Sequence, residues 1–230
     1  MREGKSLSFQ DTYSDQQMIE NLPDIDSLKL LSQSLAMLDA ILSPEWEYRY
    51  YSFNSKWAED QMVASMRNGE GDSYFILFDS NGAIIKGFDH ESPMSPHANE
   101  SNQVWPGVLD NVPDVFQHFL SEPAFVIEET TFCIWRREGD PTWMKGDIVY
   151  PDTHDPDGSC WLLAILDGNP EKYRKFAEAY YEKDIPLVAV EQIYNHQPLT
   201  EEIITSLNED IQMEELMLDI NEIGWRSNLY

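Results

Sequence analysis

The side chains best placed to do chemistry form the run Asp152-Thr153-His154-Asp155-Pro156-Asp157-Gly158. Carboxylates this close together in a loop offer oxygen ligands to a hard cation. The spacing does not complete a calcium loop, however. The first ligand position falls on Thr153, Pro156 constrains the backbone, and the twelfth position is Ala164 rather than Glu. Asp-Pro-Asp-Gly is also ordinary turn chemistry ahead of a helix. No metal is therefore expected. Asp152, His154, Asp155 and Asp157 remain the candidate ligands if the chain is a metal-dependent hydrolase.

A second candidate is Asp89-His90-Glu91, with His97 nearby. A histidine flanked by acids can serve as a general base or as a ligand. Against catalysis, no serine or cysteine sits in a nucleophile elbow and no His-x-x-x-His pair occurs. His90 and Glu91 are expected instead to close the end of a hairpin by hydrogen bonds, and His118 and His196 to be structural. Asn68-Gly69-Glu70-Gly71-Asp72 precedes a strand, whereas a phosphate cradle follows a strand and opens a helix. Glu70 and Asp72 would also repel phosphate, so no nucleotide or other cofactor is expected. Trp57, Trp105, Trp135, Trp143 and Trp161 read as core residues, and Trp46 is left open. Cys133 and Cys160 form no Cys-x-x-Cys and read as buried thiols.

Charge says more than any motif. The 42 acidic residues stand against 15 basic ones, a formal net charge of -27. That surplus disfavours nucleic acid and anionic membranes and favours a basic protein partner. From Asp184 through Trp225 there are ten acids and no Lys or Arg, and a second base-free run extends from Gly87 to Trp135. If the two adjoined, they would form one broad negative face. No secretory leader or membrane-length apolar run is visible, which makes the cytoplasm the expected compartment.

The elements that must carry these groups follow from periodicity. Residues 1–23 are polar and without period, and read as a loosely ordered arm. Ile25, Leu28, Leu31, Leu35, Leu38 and Leu42 mark an amphipathic helix, capped by Asp24 and ended by Ser43-Pro44. A strand is expected over Trp46–Phe53 and a helix from about Ser55 to Arg67. Ser73–Asp79 and Ala83–Phe88, joined by Ser80-Asn81-Gly82, predict a β-hairpin. A long loop over 89–107 is followed by a short helix over Val112–Leu120, with Val112, Val115, Phe116 and Phe119 on one face. Another strand is expected over Ala124–Trp135. Ser159 caps a short helix, Asn169-Pro170-Glu171 starts another, Leu187–Tyr194 is helical, and Thr200 caps the next. The last helix ends at Gly224, with Met213, Leu216, Met217, Ile220 and Ile223 inward and Glu215, Asp219 and Glu222 on the other side.

Two resemblances rest on quoted segments. Tyr50–Trp57, Met66–Phe75, Lys86–Glu91 and Ile165–Glu171 resemble those of a bacterial family of uncharacterised hypothetical proteins, which implies no activity. Gly71–Asp79 through Asp89-His90-Glu91 is similar to the central hairpin of the SMI1/KNR4-like (SUKH) superfamily. That resemblance implies an α+β fold and, since the superfamily includes many immunity proteins, a toxin-neutralising role. It assigns no functional residue, and the helical tail after Ser159 departs from it.

The expected fold is α+β: a predominantly antiparallel sheet packed by helices, with an α+β core over 24–158 and a helical C-terminal subdomain over 159–226. The expected function is a non-enzymatic intracellular binding protein, an immunity or antitoxin-type partner of a basic protein. Its partner-binding residues would be Glu201, Glu202, Glu215, Asp219 and Glu222.

Overall fold

The computed structural model describes residues 19–229. Helix α1 (Ile25–Leu42) opens the fold. The Asp24 carboxylate accepts from the Ser27 N–H, and Ser43, in extended conformation, ends the helix. Leu28, Leu31, Leu35, Leu38 and Leu42 are buried along it. Strands β1 (Tyr51–Ala58), β2 (Gln61–Arg67), β3 (Ser73–Asp79) and β4 (Gly82–Phe88) follow. After a long irregular stretch that contains the short helix α2 (Gln117–Leu120) come β5 (Phe132–Arg137) and β6 (Met144–Lys145). The six strands pair in chain order, each antiparallel to the next. Helices α3 (Ser159–Leu162), α4 (Pro170–Tyr181), α5 (Leu187–Tyr194), α6 (Glu201–Leu207) and α7 (Met213–Ile223) complete the chain. The α+β expectation holds, and among the described residues no helix is long and apolar enough to cross a membrane.

Both faces of the sheet are covered. Side chains alternate across a strand, so Ala64, Tyr74, Ile76, Phe78, Ile85 and Ile134 face one way, into a core shared with α1 and the helices after Ser159. Val63, Leu77, Ile84, Cys133 and Trp135 face the other way, against Met94, Val108, Phe116, Phe119 and Phe125. A strand buried on both faces loses its polar alternation. In β4 every residue is buried, Lys86 included.

Several local expectations are corrected. Residues 55–67 form a hairpin rather than a helix. The chain reverses at Glu59-Asp60, where Asp60 takes a left-handed φ of 56°, and β2 pairs with β3 from Met62 to Arg67. Met, Ala and Gln favour a helix locally, but pairing on both sides outweighs that preference. Trp46–Tyr48 is a 3₁₀ turn, not a strand. Only the end of the expected strand over 124–135 is extended, because Pro123–Phe125 is a 3₁₀ turn and Val126 is left-handed at φ 44°. Val112, Phe116 and Phe119 are buried as expected, whereas Val115 is exposed. The β3–β4 turn consists of Ser80 and Asn81, and Gly82 already pairs with Asp79. A Cβ on Gly82 would overlap the Arg136 carbonyl, so that position is closed to any side chain.

Of the arm expected over 1–23, residues 1–18 lie outside the described chain. Ile19 and Leu22 are buried in the helical-side core, and the Trp143 indole N–H donates to the Pro23 carbonyl (2.7 Å).

Candidate functional site

The hairpin register dictates the first cluster. Ser73 lies opposite Phe88, so Asp72 and Asp89, one residue further out, must end near one another. Asp72 Oδ1 accepts from the His90 backbone N–H (2.9 Å) and lies 2.7 Å from His90 Nδ1, while the Asn68 amide holds Oδ2. Asp89 Oδ1 accepts from the Glu91 N–H (2.9 Å) and Oδ2 from the Trp161 indole (3.1 Å). Both carboxylates are buried, and the His90 side chain is 41% exposed. Among the described residues, Asp72, Asp89 and His90 are the one set of three that could hold a metal ion, their ligand atoms all within 4.8 Å of one another. Each carboxylate already has protein donors, so the cluster is complete as a closure of the hairpin, as expected for His90.

The hydrogen bond from Asp72 is the main influence on the His90 imidazole and raises its pKa above the ordinary value. A raised histidine pKa stabilises the fold below the unfolded value, and that contribution is lost as pH climbs through the folded one. In an NMR titration, His90 should therefore release its proton above about 6.5, and Asp72→Asn should bring it back down. A wild-type midpoint at or below the ordinary value would contradict this linkage.

The 152–157 loop does not gather its four candidates. Asp155 Oδ1 and Oδ2 accept from the Cys160 and Trp161 N–H groups (both 3.0 Å), so this side chain fixes the start of α3. Asp157 is buried and accepts from the Ser159 N–H (2.9 Å). Asp152 and His154 are exposed. The loop serves the first cluster instead. Gly158, at φ 78°, passes so close to the Asp89 carboxylate that a Cβ there would overlap it.

The predicted partner-binding residues fall into two groups. Glu201 and Glu202 in α6, and Glu215 and Glu222 in α7, are exposed and form no ion pair among the described residues. Glu209, Asp210 and Glu214 share that condition. Asp219 differs. It pairs through both oxygens with Arg49 (2.7 and 2.9 Å), whose own side chain is 6% exposed. Its charge is compensated inside the fold, which tandem spacing along one helix face could not reveal.

The apolar residues of the two base-free runs pack largely on opposite faces of the sheet. Leu199, Ile203, Ile204, Leu207, Leu216 and Ile220, from the run over 184–225, pack on the helical face of the sheet. Met94, Val108, Phe116 and Phe119, from the run over 87–135, pack on the opposite face. Phe132 and Ile134, at the end of the second run, reach the helical face.

The other histidines have local partners. His118 Nε2 lies 3.4 Å from an Asp79 oxygen, and His97 Nε2 lies 3.4 Å from Glu129. His196 Nε2 sits 2.7 Å from the Leu30 carbonyl, with its ring stacked on Trp225 at 4.3 Å. Trp135 and Trp143 are core residues, whereas Trp57 stacks on Phe125 at a partly open edge and Trp161 is 38% exposed over Asp89. Trp46, unassigned by sequence, is 54% exposed. Comparison with family models, curated proteins and solved structures gives no match to this chain, so any functional reading rests on its own residues.

Proposed function

We propose that the protein is a non-enzymatic binding protein for a basic protein partner, of the immunity or antitoxin type. The carrying observation is the stretch Glu201–Glu222. It exposes Glu201, Glu202, Glu209, Asp210, Glu214, Glu215 and Glu222 to solvent, with no Lys or Arg between Asp184 and Trp225. Like charges this close on short helices repel one another and cost stability. A cationic surface relieves that repulsion on binding and is drawn in by the same field. The likeness of Gly71–Glu91 to the SMI1/KNR4-like hairpin favours the same kind of role.

The test reverses three exposed charges, Glu214→Lys, Glu215→Lys and Glu222→Lys, and leaves Asp219 with Arg49. A basic partner identified from the protein's own cells should bind the variant roughly 100-fold more weakly, and high salt should weaken the wild-type complex. An affinity unchanged by both would remove this reading.

A further inference from the structure

The stretch between α1 and β1 presents aromatic side chains to water. Trp46 and Tyr48 are 54% and 57% exposed, and Tyr180, on the last turn of α4, is 40% exposed. Trp46 and Tyr48 share one 3₁₀ turn, and Tyr180 is joined to that turn through Tyr48. The Tyr180 hydroxyl donates to the Tyr48 carbonyl (3.3 Å), and the ring of Tyr50 beneath meets Tyr180 and Phe176 edge-on at 4.7 and 4.8 Å. Contiguous exposed aromatics cost solvation free energy, and such patches mark contact surfaces.

The turn is held rigidly. Arg49 donates to the carbonyls of Ser43 (2.7 Å) and Pro44 (2.6 Å) while paired with Asp219 on α7. The backbone that carries the rings is thus tied to the last helix before any partner arrives. A turn whose backbone is already ordered gives up less entropy on binding.

The rim defines the ligand. Glu45, Glu47 and Glu70 are exposed and form no ion pair among the described residues. The charges of Glu47 and then Glu45 push up the Tyr48 hydroxyl. Burial raises Tyr180, and Asp39 and Glu70 add to that. One cation is already seated here, for the Arg67 guanidinium lies 4.0 Å from the Trp46 ring centroid.

We propose that this patch anchors an arginine side chain of the basic partner, its guanidinium stacked on the open face of Trp46 or Tyr48 and paired with Glu45, Glu47 or Glu70. The inference rests on the reading of a basic partner given above. A neutral ligand would gain nothing from the uncompensated carboxylates. Lysine would satisfy the charge but not the stacking, because its ammonium is compact and strongly hydrated, whereas a guanidinium is planar and can stack and pair at once.

The probe is an oligo-arginine amide peptide, with oligo-lysine and oligo-citrulline peptides of the same length beside it. The readout is the set of tryptophan indole N–H resonances, with Trp46 assigned by Trp46→Phe. The arginine peptide should move the Trp46 resonance, and the citrulline peptide should not. The double variant Trp46→Ala/Tyr48→Ala should weaken binding roughly tenfold with its remaining indole resonances in place. The triple reversal at Glu214, Glu215 and Glu222 should leave the Trp46 shift intact. Binding that responds to the triple reversal while Trp46 stays still would overturn the anchor and leave the acidic-layer reading standing. No binding of either cationic peptide would remove both. Equal affinity and equal Trp46 shifts for lysine and arginine would overturn the choice of arginine.

Discussion

Asp39→Ala should lower the stability of the fold by roughly 3 kcal/mol at about pH 4 and by less at about pH 8. Asp39 is fully buried on α1. Its Oδ2 accepts from the backbone N–H groups of Tyr50 (2.9 Å) and Tyr51 (2.8 Å), and its Oδ1 from the Tyr173 hydroxyl (2.6 Å). One carboxyl thereby ties α1, the start of β1 and α4 together. Alanine leaves three buried donors without an acceptor, at about 1 kcal/mol or more each. Burial is the dominant influence on the group itself and pushes its pKa up to about 6, against the lowering effect of its donors.

The sign follows from that shift. A carboxyl with a raised folded pKa binds its proton more tightly in the folded state, so stability is greatest below about pH 4 and falls as pH rises towards 6. The difference of about two pH units corresponds to roughly 3 kcal/mol. The amide introduced by Asp39→Asn would keep an oxygen for the two N–H groups and turn its nitrogen towards the Tyr173 oxygen. Asp39→Asn should therefore match the wild type at about pH 4 and exceed it at about pH 8 in denaturant unfolding. Parallel curves for the two proteins across that range would show that the carboxyl ionises at its ordinary pKa.

Lys86→Ala should cost about 4 kcal/mol, and Lys86→Met about half of that. Lys86 is 1% exposed at the centre of β4, and its ammonium donates to the carbonyls of Val126 (3.1 Å) and Glu129 (2.5 Å). Those carbonyls belong to the turn that contains left-handed Val126, a conformation a β-branched residue avoids. Alanine removes both the aliphatic stem and the donors, whereas methionine keeps the packing volume. Burial lowers the lysine pKa to about 8, partly opposed by Glu129. A lysine with a depressed folded pKa charges less readily in the folded state, so stability should rise between about pH 8 and pH 10.5 in the wild type. That rise should vanish in Lys86→Met. Hydrogen exchange at residues 126–131 is the second readout, and protection there unchanged by Lys86→Met would show that the turn does not depend on the lysine.

The parts of this fold that could be read from sequence are those whose signals are local. Asp24 and the three- and four-residue leucine spacing define α1, while Asn169-Pro170, Thr200 and Gly224 mark helix ends in the C-terminal layer. The apolar runs around Ser80-Asn81 define the β3–β4 hairpin. The misread stretch, 55–67, has helix-favouring composition and becomes a hairpin through its pairing with β3. The closure of Asp72 on His90 was also within reach, since the register of that hairpin brings the two chain ends together. Lys86 and Asp219 lay beyond it. Nothing local distinguishes a lysine buried among carbonyls, or an aspartate turned towards an arginine 170 residues away, from the same residues in water.

Base-free segments contribute to the packing on both faces of the sheet, so the acidic surplus is not confined to the C-terminal helices. A net charge of -27 draws cations at long range, and such attraction by itself selects no docking register. For the partner proposed above, orientation would be set at close range, by contacts such as those of the 46–48 turn.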